Sequence, residues 1–459
     1  MHGIGAPLRG LHLLVDRTPP ARERFIDLLR AVAIVSVVLG HWLATVIGHD
    51  AQGRLTGRSA LPDLPWAHPL TWVVQVLPLF FLVGGYANAV SLESRRRRGG
   101  DTTGWLLDRG GRLVPPTTAL VLVMAGAALA ARLFPVDPGW VRTVVWFASI
   151  PLWFLSVYLI VVVLTPPMHA LHRRYGLAVP VVLTGLVAAG DVARLNGAES
   201  LGNGSFVFGW LAVHQMGFAW RDGLLPARPR VALPLLLGGL GALLLLTLAG
   251  PYPISMINVP GERLHNMSPP SLALLAVATV QIGLALLVKD RAERWLRRRG
   301  PWTVVVAVNA VVLTIFLWHV TAAILLTGLL DLLGVLPVQR VGSASWLAWR
   351  IPWLVMLVPA LAVLVAIFGP VEIRAARRRP VPAVPRSGAL GWARPAATVA
   401  GLAAVALGLL LNSLFPNTEP ALFGLPAVAL AAFLGGAATL RLLRSPPRAE
   451  PGGGRVTDG

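Results

Sequence analysis

Apolar segments recur along the whole chain and are separated by short polar or basic segments. A helix needs about 20 apolar residues to cross a bilayer, and most of these segments approach that length. The pattern therefore predicts an all-α, polytopic membrane protein. We expect twelve transmembrane helices, at residues 25–47, 69–92, 113–133, 142–165, 177–194, 203–220, 231–250, 270–288, 302–330, 346–369, 393–414 and 420–440.

The distribution of basic residues tests this number of helices, because such residues accumulate on the cytoplasmic side of a membrane. With a cytoplasmic N-terminus, 31 of the 40 Arg and Lys residues fall in segments expected in the cytoplasm and eight in segments on the other side. Topology thus explains the net charge of +20, which does not indicate a nucleic-acid-binding surface. Both termini are expected in the cytoplasm. The bias toward Ala, Arg, Gly and Pro indicates a bacterium, and hence its inner membrane.

Composition divides the chain into four regions. Residues 1–24 form an expected cytoplasmic N-terminal arm, and residues 25–369 an expected ten-helix core. Residues 370–391 are rich in Arg and Pro and have no apolar period, which predicts a cytoplasmic linker. Residues 392–459 contain two further apolar helices with few internal polar groups, followed by a Gly- and Pro-rich tail that we expect to be disordered.

The first predicted helix contains the clearest candidates for chemistry. Arg30 and His41 are eleven residues apart, which places them on one helix face with a rise of about 16 Å, and Asp27 falls near the same face. Ionisable groups inside a membrane are costly and usually mark function. His41 is the leading candidate for a general base. The alternatives are a structural histidine bonded to a neighbouring helix and an arginine that extends back to the membrane surface.

Polar groups in other predicted helices are candidates for the same site. His319 lies at the same depth as His41, on a helix of the same direction, so the two imidazoles are expected to share a site. Tyr86 and Asn88 indicate a polar cavity at the second helix. Trp153 is by default an aromatic residue of the core or the membrane interface.

Two basic residues and one loop are candidates for ligand recognition. Arg109 and Arg112 are one turn apart at the predicted start of the third helix, where free backbone N–H groups and positive potential favour an anion. The loop at 260–270 is rich in polar and turn residues and is the expected place for acceptor recognition. The chain has no cysteine and no His-x-x-x-His spacing, so we expect no metal site and no thiolate nucleophile.

Five segments, in order along the chain, resemble motifs of the acyltransferase-3 family of integral membrane O-acyltransferases. The resemblance covers roughly residues 24 to 369, and it departs from the family pattern at Gly84, where the family has serine. The segments are Arg30 and His41 with ten residues between them, Phe80-Phe81-Leu82-Val83-Gly84-Gly85, Arg109-x-x-Arg112-x-x-Pro115, Trp153-Phe154-Leu155, and Trp318-His319.

This resemblance implies transfer of an acyl group, often acetyl, from acyl-CoA to a hydroxyl group. Arg109, Arg112 and Arg30 would then bind the phosphates of the donor at the cytoplasmic mouth. The pantetheine arm would run along the first helix, and His41 would deprotonate the acceptor or form a transient acyl-imidazole. Asp27 would orient Arg24 or Arg30.

The acceptor implied by the resemblance is a sugar, a glycan, a lipid-linked molecule or a small metabolite. Tyr86, Asn88 and Trp153 are the residues expected to contact it, with His319 beside His41. Two alternatives stay open from the sequence, since twelve helices and intramembrane charges are equally typical of them. One is a secondary transporter or flippase, and the other is a non-catalytic membrane scaffold.

Overall fold

Long helices form a bundle, and the predicted all-α membrane class is confirmed. The computed structural model describes residues 15–16, 18–19, 22–337, 339–383, 390–417 and 419–444. Among these residues, eleven helices are long and apolar enough to cross a membrane, which makes the protein a multi-pass membrane protein. The sixth predicted segment, 203–220, is not among these eleven spans; it forms a helix of 17 residues, Ser205–Arg221, which is shorter than each of them.

In chain order the helices are α1 Arg24–Ala44, α2 Thr71–Val74, α3 Leu77–Arg97, α4 Thr102–Ala131, α5 Pro138–Ala148, α6 Pro151–Tyr175, α7 Ala178–Leu195, α8 Glu199–Gly202, α9 Ser205–Arg221, α10 Pro229–Leu244, α11 Leu272–Leu296, α12 Arg299–Ala310, α13 Val312–Leu332, α14 Ala344–Ala376, α15 Leu390–Leu414 and α16 Ala427–Arg444. Short 3₁₀ turns at Leu61–Asp63 and Pro65–Leu70 precede α2, and a π turn at Leu245–Ala249 ends α10.

A β-hairpin follows α1, where the sequence predicted that the helix continues to residue 47. The strands are β1 Thr45–His49 and β2 Leu55–Ser59, paired antiparallel with Thr45 opposite Ser59. The helix ends at Ala44 because three β-branched residues, which favour strands, follow it. Gly53 supplies the positive φ of the turn, at 71°.

The two ends of the bundle differ in charge. At the arginine-rich end, α1 begins and α3, α9 and α11 end; there Arg24 donates to the carbonyl oxygen of Leu296 at 2.7 Å, and Arg221 pairs with Glu93. The opposite end, which we call the hairpin end, carries β1 and β2. His49 of the hairpin pairs with Asp331 near the end of α13 at 2.9 Å. These contacts place the start of α1 and the ends of α3, α9 and α11 at one end of the bundle, and the end of α13 at the other.

Helix α4 begins eleven residues before its predicted start at residue 113. Asp101 caps it, since its carboxylate accepts a hydrogen bond from the backbone N–H of Gly104 at 3.1 Å. Arg109 and Arg112 therefore lie about two turns inside the helix. The prediction that they sit beside free N–H groups of a helix N-terminus is wrong.

Two segments predicted as single helices are each broken. The segment 142–165 divides into α5 and α6 ahead of Pro151, which fits the first turn of a helix because it has no N–H to satisfy. The segment 302–330 divides into α12 and α13 at Val311, whose φ is −135°. At this second break the carboxylate of Glu372 accepts hydrogen bonds from the N–H groups of Leu313 and Thr314, at 3.1 and 2.7 Å. Glu372 thus caps the helix that carries His319.

The glycine pair of α3 permits a close helix contact. A Cβ atom at Gly85 would collide with the carbonyl oxygen of His214 in α9, and one at Gly217 would collide with the carbonyl oxygen of Leu82. The two glycines therefore let the backbones of α3 and α9 touch.

Helices α15 and α16 pack against each other and against α4 and α6. Buried Arg142 of α5 anchors this pair, because its guanidinium donates to the side-chain and backbone oxygens of Asn412 at 3.2 Å and to the carbonyl oxygens of Gly424 and Phe415. The four predicted regions stay a prediction, although α14 continues to Ala376, into the expected linker. Residues 1–14, 384–389 and 445–459, and with them the expected disordered tail, lie outside the described residues.

Replacing Arg142 is expected to loosen the attachment of α15 and α16. Arg142→Ala leaves buried oxygens of Asn412 and Gly424 without donors, and we expect a loss of about 2–4 kcal/mol of stability. A thermal unfolding curve in detergent measures this loss. Arg132→Ala is the matched control, because Arg132 is exposed. Equal unfolding temperatures for the two variants would contradict the anchoring role.

Candidate active site

His41 of α1 and His319 of α13 form a direct imidazole pair inside the bundle. Nδ1 of His41 lies 2.7 Å from Nε2 of His319, and the ring planes are within 5° of parallel. His319 is fully buried, whereas His41 is partly accessible. The indole of Trp42 donates to the carbonyl oxygen of His319 at 2.9 Å, and that of Trp353 to the carbonyl oxygen of Trp42 at 3.1 Å. These bonds fix the two helices against each other where the rings meet.

Hydrogen-bond partners define which nitrogen of each imidazole carries the proton. Nδ1 of His319 faces the carbonyl oxygen of Phe316 at 2.6 Å, and a carbonyl only accepts, so this nitrogen carries a proton. In neutral His319 the Nε2 atom is then an acceptor, and His41 must donate to it from Nδ1. The remaining nitrogen of His41, Nε2, is left with its lone pair available. The pair is thus arranged to take a proton at His41 Nε2.

A cavity of about 430 Å³ adjoins His41 and extends toward the hairpin end. Its wall combines parts of α1, β2, α5, α6 and α13 with the loop that follows α10. Six aromatic side chains line it: Trp42, Trp140, Phe147, Trp153, Phe154 and Phe316. Ile257, Asn258 and Met267 also line it, so the loop around the predicted recognition segment 260–270 does contribute to the wall.

Toward the arginine-rich end the cavity reaches Ser36 of α1, below His41. Arg30 is six residues earlier, a rise of about 9 Å, and does not line the cavity. Arg109 and Arg112 are also absent from its lining. The cavity therefore lies mostly on the hairpin side of His41, and Arg30, Arg109 and Arg112 are not part of its wall.

Asp27 organises the arginines at the start of α1. Its buried carboxylate pairs with Arg22 at 2.7 Å and with Arg30 at 3.4 Å. Arg24 is engaged elsewhere, since its guanidinium lies 4.9 Å from the ring centroid of Trp302 and donates to Leu296. Of the two partners considered from the sequence, the structure places Arg30 beside Asp27.

Arg109 and Arg112 differ in their surroundings. Arg109 donates to the carbonyl oxygen of Ala87 at 3.1 Å and to Ser91 Oγ at 2.5 Å, so it links α4 to α3. Arg112 is exposed. Arg30 lies about two turns after the start of α1, and Arg109 and Arg112 lie two to three turns after the start of α4. Two helices thus contribute three basic side chains toward the arginine-rich end, and such a positive potential favours an anion.

The three residues expected to contact the acceptor occupy different places. Trp153 lines the cavity. Tyr86 packs edge-on against Trp220 toward the arginine-rich end, and Asn88 is fully buried with its amide 3.2 Å from Nε2 of His214. Tyr86 and Asn88 do not line the cavity.

The sequence pattern did not predict several residues and elements that contribute to the site. Glu372 falls in the segment that composition predicts to be a basic linker. An acidic residue next to an apolar helix is nevertheless a signal for a carboxylate that caps a neighbouring helix. The hairpin strand β2 was not predicted either. The signal for the hairpin was the run of β-branched residues that precedes its turn. Within the described ranges, no group of three or more His, Asp or Glu side chains is arranged to hold a metal ion.

Comparison with known proteins assigns the chain to a family. The model of the acyltransferase-3 family, described as an acyltransferase domain, matches residues 23–369, which include both histidines, Asp27, Arg30, Arg109 and Arg112. No curated protein and no solved structure matches the chain. The match extends over most of the chain and confirms the predicted resemblance. The protein therefore belongs to the acyltransferase-3 family and is a membrane acyltransferase.

Proposed function

We propose that this protein transfers an acyl group, in the simplest case acetyl, from acyl-CoA to a hydroxyl group of an acceptor bound in the cavity. The observation that carries this proposal is the imidazole pair, which leaves Nε2 of His41 unprotonated on a side chain that lines the cavity. The alternative that the sequence left open, a transporter or flippase, finds no support in the family match.

The proposed chemistry follows from which ring nitrogens of His41 and His319 carry a proton. The acceptor hydroxyl gives its proton to His41 Nε2 as its oxygen attacks the thioester carbonyl, which forms the ester C–O bond. The C–S bond then breaks, and the departing thiolate takes the proton back from His41. During the reaction His319 accepts from His41 Nδ1 and keeps the ring oriented. A transient acyl-imidazole on Nε2 is the other route that this geometry permits.

The donor is proposed to enter from the arginine-rich end, which we assign to the cytoplasm of a bacterial inner membrane because 31 of the 40 basic residues fall in segments that the sequence predicts to be cytoplasmic. Arg112, Arg109 and Arg30 would bind its phosphates, since a guanidinium forms two parallel bonds to a phosphate. The pantetheine arm would then follow α1 past Ser36 to reach His41. This route requires side chains between Arg30 and Ser36 to move aside.

The acceptor is proposed to enter from the hairpin end, where the cavity lies. Its hydroxyl would meet the thioester at His41, so the two substrates would approach from opposite sides of the membrane. This arrangement separates the water-soluble donor from the acceptor until both are bound.

Release of free CoA tests the proposed function. The chain has no cysteine, so a thiol reagent reports CoA without background from the protein. Purified protein in detergent is expected to release CoA from acetyl-CoA, with acetyl ester appearing in step when an alcohol is present. Absence of CoA release with every donor and alcohol would refute acyl transfer.

Arg112→Ala is expected to weaken CoA binding by about 10- to 100-fold, the range for loss of one charge-assisted hydrogen bond to phosphate. Titration calorimetry with CoA measures this change. Arg97→Ala is the matched control, because Arg97 is a mostly exposed arginine of the same end, 3.5 Å from Glu93. Equal losses in both variants would show that only surface charge attracts CoA.

A further inference from the structure

The walls of the cavity contain little that can pair with a charge. Among the described residues that line the cavity, Arg58 is the one formally charged side chain besides the titratable His41. Arg58 is already paired with Asp63. No carboxylate of the described residues lines the cavity. A charged acceptor would have to lose its water here without a partner, which is costly.

Most polar groups of the wall are satisfied within the protein. Gln75 donates to the carbonyl oxygen of Met256 at 3.1 Å, Thr143 to that of Gly139, and Trp140 to that of Leu55. The wall therefore offers apolar surface and aromatic faces over most of its area, and both favour a ring-containing, apolar skeleton.

Two polar atoms of the wall are exceptions. Thr327 Oγ1 and Asn258 Oδ1 are buried and have no hydrogen-bond partner among the described residues. Thr327 is 6% exposed. A buried polar atom without a partner is costly, and one in a cavity wall is available to a ligand. Thr327 lies eight residues after His319 on α13, a rise of about 12 Å toward the hairpin end.

We propose that the acceptor is an uncharged alcohol of small-molecule size, with a mainly apolar ring skeleton and a neutral polar group roughly 12 Å from the hydroxyl that is acylated. This inference rests on the proposed acyl transfer and names its acceptor class. The volume of about 430 Å³ is that of a site for a small molecule. Thr327 and Asn258 bind the distant polar group, while the reacting hydroxyl lies at His41.

A set of matched alcohols tests the acceptor class. With acetyl-CoA as donor, 4′-(hydroxymethyl)biphenyl-4-carboxamide is compared with the corresponding 4-carboxylate and with glucose, and the acetyl ester is measured by mass spectrometry. We expect kcat/KM for the carboxamide to exceed that for the carboxylate by about 100-fold or more, because the carboxylate is left unpaired. Glucose is expected to give no ester.

The outcomes separate this inference from the proposed function. Equal or better use of the carboxylate or of glucose overturns the acceptor class and leaves acyl transfer intact. Failure of every alcohol, with no consumption of acetyl-CoA, overturns both. A strong preference for octanoyl-CoA over acetyl-CoA that Phe147→Ala abolishes would assign the cavity to the acyl chain of the donor, and this also overturns the inference.

Thr327→Val tests the polar end of the cavity with nearly the same shape. We expect KM for the carboxamide to rise about tenfold, the effect of one lost hydrogen bond, and KM for 4-(hydroxymethyl)biphenyl, which lacks the amide, to stay unchanged. Thr321→Val is the control, since Thr321 Oγ1 in α13 is also buried and has no hydrogen-bond partner in the described part of the chain, but it does not line the cavity. Equal changes for both alcohols would show a merely structural role and overturn the assignment of Thr327.

Discussion

His41→Ala is expected to lower kcat for acyl transfer by about 10²- to 10⁴-fold, the usual contribution of a general base. The variant removes the nitrogen that receives the hydroxyl proton. Donor binding is expected to change little, because the nearest arginine of α1, Arg30, is about 16 Å away along the helix. Initial rates of CoA release and ester formation measure the first effect, and calorimetry with CoA measures the second.

His172→Gln is a suitable control for the loss of a buried histidine. His172 is almost fully buried in α6 and lies 3.5 Å from Asp222 at the arginine-rich end, away from the imidazole pair. Its replacement is expected to leave the catalytic rate within a few-fold of the wild type. If His41→Ala retained the full rate, His41 would have no part in the reaction.

Replacing His319 is expected to give the second large effect. His319→Ala removes the acceptor for His41 Nδ1–H, so the ring of His41 loses both its orientation and its defined tautomer. A loss of about 10²- to 10⁴-fold in kcat is expected, the scale seen when a catalytic histidine loses the group that orients it. Donor affinity is expected to be unchanged.

His319→Gln separates orientation from other roles of the second ring. A glutamine side chain can place its oxygen near the position of Nε2 and accept from His41, but it cannot bind a proton. We expect it to recover about tenfold in kcat over His319→Ala, the value of one hydrogen bond. Full activity in the alanine variant would contradict the orienting role of His319.

The sequence predicted the membrane class because its signals are long and repeated. Apolar segments of bilayer length and the uneven distribution of arginine are properties of whole helices, and small errors at their ends do not change them. The position of His319 relative to His41 was also accessible, since equal depths on helices of one direction follow from counting residues. The structure brings these two rings to 2.7 Å.

Features that depend on contacts between distant segments were not accessible in the same way. The break at Val311 is stabilised by Glu372, about 60 residues later, and no local pattern marks it. The apolar pattern begins only at residue 113, so it did not predict the earlier start of α4, which Asp101 caps. The cavity depends on several helices and on both strands of the hairpin, and Thr327, which has no partner among the described residues, is recognisable only in three dimensions.

The proposed mechanism requires that the thioester of the donor reach His41 from the arginine-rich end. The most direct test is an experimental structure of the protein with a nonhydrolysable acetyl-CoA analogue. We expect the phosphates of the analogue to lie beside Arg112. We expect its acyl carbonyl carbon to lie about 3–4 Å from the oxygen of a hydroxyl group that is hydrogen-bonded to His41 Nε2. An analogue that binds with its acyl group elsewhere, or an imidazole of His41 that faces lipid, would contradict the account.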